Sequence, residues 1–388
     1  MPKPRHAEIA GAGFGGLVAA VALAERGWTV RVHERTPILR AEGFAIAMQP
    51  NMLKVVESLG ARDEVLRGGV RILRRETRNG QNRPRMVLRG GSGYRISRQH
   101  IATALADRAA RLGVEIDFDS PIAGADPSGE LVLTTGRRLK ADLVVGADGI
   151  NSVVRDRLGL LASRRVHPDG AMRLVVSRTP EDVAEDSVLG PMTCEYWSLT
   201  RRVLTSPCGA QELYVAMSCL AGDGEARAVP MNVESWSRSF PHLGDLFRRI
   251  RAESEWGRVR WAQFQTIKLK RWHAGRVAVL GDAAHSMPPN LGQGAGCAMM
   301  NALSLAAALE ETSDVRAALS AWEERERPLT EHTQRWSEIY GRLTTWPEQM
   351  RSLAFTALGR VKWLRSRYQR TANHVPTGYR PMPVEAEP

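Results

Sequence analysis

A glycine-punctuated turn between an apolar strand and an apolar helix constrains this chain more than any other feature. Residues 7–10 read as a short strand, 11–16 as a tight turn, and 17–26 as an Ala/Leu/Val-rich helix that Gly27 ends. Residues 29–33 follow as a β-branched strand. Gly11, Gly13 and Gly16 stand in the pattern Gly-X-Gly-X-X-Gly. The first permits the turn, the second lets a pyrophosphate approach the backbone, and the third lets helix pack on strand. The helix N-terminus then offers free N–H groups and partial positive charge to that anion. Glu34 closes the second strand, with Arg35 beside it, 23 residues after Gly11. A carboxylate there suits ribose hydroxyls and disfavours a 2′-phosphate, which leaves FAD or NAD as the resident nucleotide.

A second motif separates these two. Residues 276–282 form an apolar strand that ends in Gly281-Asp282, and His285, Pro288-Pro289 and Gly292-Gln293-Gly294-Ala295-Gly296 follow. An acid at a strand end can hold ribityl hydroxyls, and the small residues after it let a flat ring lie against backbone. A helix opening near Gly294 would point its positive end at the flavin N1–C2 carbonyl. A hydrogen-bonded structural role is expected for His285. The third motif is Asp142-Leu-Val-Val-Gly146-Ala147-Asp148-Gly149, followed by Ser152, Val154 and Arg155.

In this order and spacing the three motifs resemble the aromatic-ring hydroxylase family of single-component flavin monooxygenases, the para-hydroxybenzoate hydroxylase type. The resemblance runs from about residue 6 to 328, where Trp322-Glu323 and Arg327-Pro328 match its late helix. It implies that Glu34 binds the adenosine ribose and Asp282 the ribityl chain. It further implies that Arg98 contacts FAD, and that Asp148-Gly149 serves FAD and a transient nicotinamide. NADH or NADPH would reduce FAD, O2 would add at flavin C4a, and the hydroperoxide would hydroxylate an activated ring, with ring opening of a pyridine as a further outcome. Residues 5–10, 202–208, 212–214 and 293–299 are most similar to the pyridine-carboxylate oxygenases of that family. By that resemblance Arg202 pairs with a substrate carboxylate, Tyr214 touches substrate or flavin, and Pro289 joins them in the catalytic set. Two pocket tyrosines of those oxygenases fall on Ala47 and Arg75, and Arg75 would suit a second anionic group. Asn301 stands where the family usually has Asp, a change expected to concern helix packing. A flavin oxidoreductase that performs no oxygenation is the alternative.

The expected fold class is α/β, a Rossmann-like FAD-binding domain with an inserted antiparallel-sheet substrate domain and C-terminal helices. Residues 1–165 hold the first part of the FAD domain, with a small hairpin at 72–96 turning at Asn79-Gly80. Residues 131–134 and 139–145 flank Gly136 as a second hairpin. The substrate sheet spans 166–265, the FAD domain resumes over 266–345, and 346–388 form a basic helical segment and tail.

With 54 basic and 42 acidic residues, the net charge of +12 raises nucleic acid or an anionic membrane as partners. The basic residues are scattered, however, and residues 342–372 alone hold seven cations against one acid. A small aromatic or N-heteroaromatic acid is the expected partner, with no nucleic acid and no integral membrane association, and a homo-oligomer is compatible with the sequence. Lys3 and Arg5 before an alanine-rich stretch imitate a secretory signal, but Glu8 and the glycines interrupt it. Cysteines 194, 208, 219 and 297 have neither disulfide-framework nor metal-ligand spacing, so a reducing, cytoplasmic setting and no metal are expected.

Overall fold

The computed structural model describes residues 4–39 and 44–381; Lys3 of the signal-like stretch and the end of the C-terminal tail lie outside them. The glycine turn sits at the centre of a six-stranded sheet. Its order is His273–Ala274, Val277–Val279, Leu143–Gly146, His6–Ala10, Thr29–His33 and Glu115–Asp117, parallel except for the first pair. Ala7 lies between Leu143 and Val30. The central strands are apolar runs because helices cover both of their faces. Helix Phe14–Ala24 is buried along its first ten residues, packed between helices Arg98–Arg111 and Gly294–Glu311. Enclosure on all sides explains why it has no polar face.

An eight-stranded sheet forms the second layer system, ordered Ala262–Leu269, Leu161–Ser177, Glu212–Leu220, Arg201–Pro207, Met192–Ser198, Val70–Asn79, Pro84–Ser97 and Ala45–Met48. It is antiparallel except where Met192–Ser198 runs parallel to Val70–Asn79. Strand alternation divides its faces. Leu213, Val215 and Met217 pack with Trp236, Phe240 and Phe247 in an apolar core. Tyr214, Ala216 and Ser218 point the other way, into a cavity between the two sheets.

Two expected hairpins differ in detail. The 72–96 hairpin forms, but its strands belong to the eight-stranded sheet, so this stretch of the first segment lies with the middle one. Residues 139–145 are not one strand. Arg138–Lys140 pairs with Glu130–Leu133 in a three-stranded sheet, while Leu143–Gly146 joins the parallel sheet. The break falls at Asp142, whose carboxylate accepts the His6 N–H at 2.8 Å and ties the strand start to its neighbour.

The basic segment forms helices Glu348–Arg360 and Lys362–Gln369. It is not a free arm: Phe355, Leu358 and Tyr368 pack with Trp197, Tyr340 and Met86. All four cysteines are buried and unpaired. Among the described residues no helix is long and apolar enough to cross a membrane, and no cluster of side chains could hold a metal.

Candidate active site

The Gly11–Gly16 turn is held by close backbone contacts. Gly11 has φ +99°, and a Cβ there would lie 2.5 Å from the Ala147 carbonyl oxygen. A Cβ on Gly16 would lie 2.0 Å from the Gly11 carbonyl oxygen. Gly13 differs, since a Cβ there would meet no protein atom within 4 Å, and its open side faces the cavity. The Glu34 carboxylate accepts Ala12 N–H at 3.0 Å through one oxygen and the Thr36 hydroxyl at 2.9 Å through the other. It therefore stands fixed beside the turn, while Arg35 is exposed.

The second glycine cluster closes the same end of the cavity. Gly281 and Gly292 have φ near +65°, at +66° and +64°. Asp282 opens into the cavity, its carboxyl pushed up by the surrounding protein and partly restrained by the Arg98 charge. The Arg98 guanidinium lies 4.8 Å over the Phe14 ring. Asn51 donates to the Gln293 carbonyl at 2.8 Å, leaving the buried Gln293 amide nitrogen without a partner. Gly294 and Ala295 begin helix Gly294–Glu311 at the cavity wall, beside Pro289.

Asp148 behaves differently from its neighbour Gly149, which lines the cavity. One Asp148 oxygen accepts Val153 N–H at 2.8 Å at the start of a short helix capped by Ser152, and the other is buried and unpaired. Burial raises its pKa. Arg155, fully buried, donates to the carbonyls of Ile150 and Ala283 and so joins this loop to the Asp282 turn. These features fit FAD: an open glycine beside a helix N-terminus, a fixed carboxylate at the strand end, an acid facing the cavity, and small residues where a flat ring would lie.

His285 does not line the cavity. Its Nε2 accepts from Asn301 Nδ2 at 3.0 Å and from Gly281 N–H at 3.2 Å, which places the proton of the neutral ring on Nδ1. Burial lowers its pKa to about 4. Asn301 thus does more than pack, because it supplies the donor that favours the neutral ring. Since the unfolded histidine titrates near pH 6.5, its stabilisation is complete above that pH and is lost as pH falls towards about 4, roughly 3 kcal/mol over the window. His285→Gln is expected to flatten the acid limb of a melting-temperature profile. Equal slopes for the two proteins between pH 6.5 and 4 would refute this.

The cavity, of about 2170 Å³, continues from the glycine clusters to the eight-stranded sheet. That exceeds the roughly 300–1,000 Å³ of an ordinary ligand pocket and suits a dinucleotide with a second molecule. Arg202, Tyr214, Ala47 and Arg75 all line it. Arg202 is not a free fork, however. It lies 3.7 Å from Glu195 and 3.8 Å from Asp169, with its guanidinium 4.8 Å over Trp197. Glu195 also faces Arg75 at 3.6 Å and accepts the Tyr340 hydroxyl at 2.6 Å.

Nothing local in the sequence marks Glu195, Asp169, Tyr340 or Arg95 as functional. Arg95 lines the cavity 5.2 Å over the Tyr214 ring. Only the pairing of Met192–Ser198 with Val70–Asn79, strands far apart in the chain, brings Glu195 between its two arginines.

Comparison with known proteins agrees with this geometry. Residues 6–337 match the family described as FAD binding domain. The chain is 38% identical over 362 residues to 2-heptyl-3-hydroxy-4(1H)-quinolone synthase of Mycobacteroides abscessus, covering 92% of this chain and 95% of that one. Among solved structures, 2-methyl-3-hydroxypyridine-5-carboxylic acid oxygenase superposes with a TM-score of 0.86 at 39% identity, over 97% of this chain and 99% of that one. A tetrameric form of the same oxygenase gives 0.85 at 39% identity, over 96% and 97%. The match across both sheets and all three motifs means that the chain belongs to the FAD binding domain family and is a flavin-dependent aromatic monooxygenase.

Proposed function

We propose that this enzyme hydroxylates a hydroxylated aromatic or N-heteroaromatic carboxylic acid, consuming O2 and NADH or NADPH. The ring C–H becomes C–OH, the second oxygen atom leaves as water, and the nicotinamide is oxidised. The observation that carries the reading is the single cavity joining the FAD-fitting glycine clusters to the polar wall of the eight-stranded sheet. Bound FAD supplies the redox step and the activation of oxygen.

The chain's own residues bind, orient and exclude water. Gly13 and the helix behind it receive the pyrophosphate, Glu34 the ribose, and Asp282 with Arg98 the ribityl chain. The N-terminus of helix Gly294–Glu311 favours negative charge where the ring system lies. Pro289, Arg202 and Tyr214 flank the space left for substrate. The names of the relatives, a hydroxyquinolone synthase and a hydroxypyridine carboxylic acid oxygenase, support a nitrogen heterocycle. The tetrameric form of that oxygenase supports a homo-oligomer.

Purified enzyme is expected to be yellow and to oxidise NADH or NADPH faster when a suitable ring acid is added. A panel of hydroxypyridine and hydroxybenzoate acids, scored by nicotinamide oxidation and product mass under 18O2, tests the reading. One 18O atom per product is expected for hydroxylation, and product mass separates ring opening. Ring-stimulated turnover that converts the ring acid to a product carrying no 18O would instead favour a non-oxygenating oxidoreductase.

A further inference from the structure

Three of the arginines that line the cavity, Arg75, Arg95 and Arg202, differ in how their charges are compensated. Arg75 and Arg202 share Glu195, and Arg202 has Asp169 as well. Arg95 has no ion pair among the described residues, although it is only 7% exposed. Its Nε is buried without a hydrogen-bond partner. It lies over the Tyr214 ring, and the other groups that bear on it are the Cys208 thiol and the like charge of Arg75.

Strand register explains how it got there. Arg95 pairs with Ala47 on one side and Val70 on the other, with alternation turning its side chain into the cavity. A side chain large enough to cover it is absent at position 47, where alanine stands. A guanidinium is costly to bury unmatched, and its planar fork suits a carboxylate.

Resting on the monooxygenase reading above, we infer that Arg95 forms the anionic subsite of the pocket and receives the substrate carboxylate, in place of Arg202. Arg202 is then a wall residue whose charge is already balanced inside the protein. The carboxylate pairs with the Arg95 charge, and Tyr214 beneath Arg95 keeps the guanidinium directed at the ring's substituent. Acids are selected over their neutral analogues because only an anion relieves the unmatched charge.

The test uses FAD-loaded enzyme and two probes of the same shape, 2-methyl-3-hydroxypyridine-5-carboxylic acid and its 5-carboxamide. Binding is read from the change in flavin absorbance. Wild-type enzyme is expected to prefer the acid, and Arg95→Gln to weaken acid binding by about tenfold or more, as loss of a charge-assisted hydrogen bond would. The carboxamide should change by less than about twofold. Arg95→Lys should restore part of the acid preference through charge alone. The melting temperature of Arg95→Gln should stay level or rise, because an unmatched buried charge has been removed; a structural role predicts a fall.

Equal losses for the two probes in Arg95→Gln, or shedding of FAD, would assign the guanidinium to the fold or to the flavin and overturn the inference. So would an acid-selective loss in Arg202→Gln that Arg95→Gln lacks. A wild-type enzyme that binds the carboxamide as tightly as the acid, or neither probe below millimolar concentration, overturns it as well. The monooxygenase reading fails separately, on absence of ring-stimulated NADH or NADPH oxidation across the wider panel.

Discussion

Gly13→Ala is expected to give a folded protein without its yellow colour, whereas Gly16→Ala is expected to give little folded protein at all. The two glycines stand three residues apart in one motif, but a methyl group meets different surroundings at each. At Gly13 it would meet no protein atom within 4 Å, and the residue already has φ −75°. Stability should therefore fall by no more than about 1 kcal/mol, the difference between glycine and alanine at a helix N-cap. The methyl group would occupy the approach of a pyrophosphate, with FAD affinity falling on the order of 100-fold. At Gly16 the methyl group would lie 2.0 Å from a backbone carbonyl in the central turn. Overpacking against backbone that cannot yield costs about 3 kcal/mol or more, a large share of the roughly 5–15 kcal/mol of a typical fold. Thermal melts and FAD retained after desalting check the pair. If Gly13→Ala keeps stoichiometric FAD with unchanged affinity, the turn is not the pyrophosphate seat.

Glu195→Ala is expected to lower stability by about 3–5 kcal/mol, the range for removing one partner of a buried ion pair. The carboxylate is shared between Arg75 and Arg202, so its loss leaves Arg202 with Asp169 alone and Arg75 with no acid among the described residues. Tyr340→Phe removes only the hydroxyl that donates to the same carboxylate at 2.6 Å. Its cost should be nearer 1.5–3 kcal/mol, that of one hydrogen bond to a charged group. Denaturant titrations of the two variants would measure the difference. A Glu195→Ala protein no less stable than Tyr340→Phe would show that Glu195 does not hold this wall together.

The parallel sheet was legible from the sequence because its information is local. Glycine spacing, β-branched runs and an acid at the strand end lie within about thirty residues of each other around Gly11 and again around Gly281. The boundary at Asp142 was not legible, because Leu139, Ala141 and Leu143 keep a strand-like alternation across it. A hydrogen bond to His6, on a distant strand, sets the break. The same limit applies to the substrate wall. Tyr214 and Arg202 could be reached through resemblance, whereas Asp169, which helps balance Arg202, and Arg75, which shares Glu195 with it, reach this wall only through register between remote strands. The basic C-terminal segment was legible as amphipathic helix, but its docking on Trp197 and Tyr340 depends on an aromatic cluster assembled from three parts of the chain.

The four buried cysteines also bear on how long such an enzyme survives its own chemistry. If reduced FAD held here met oxygen with no ring in place, its two electrons would leave as hydrogen peroxide within the cavity. Peroxide attacks thiolates rather than thiols. Burial pushes Cys194 and Cys297 up to about 12, and Cys208 and Cys219 up to about 11. At neutral pH fewer than about one in a thousand of these sulfurs would carry the reactive charge. Cys208 borders the cavity itself, where any peroxide forms. A sulfur kept protonated there is expected to react slowly with peroxide from unproductive cycles.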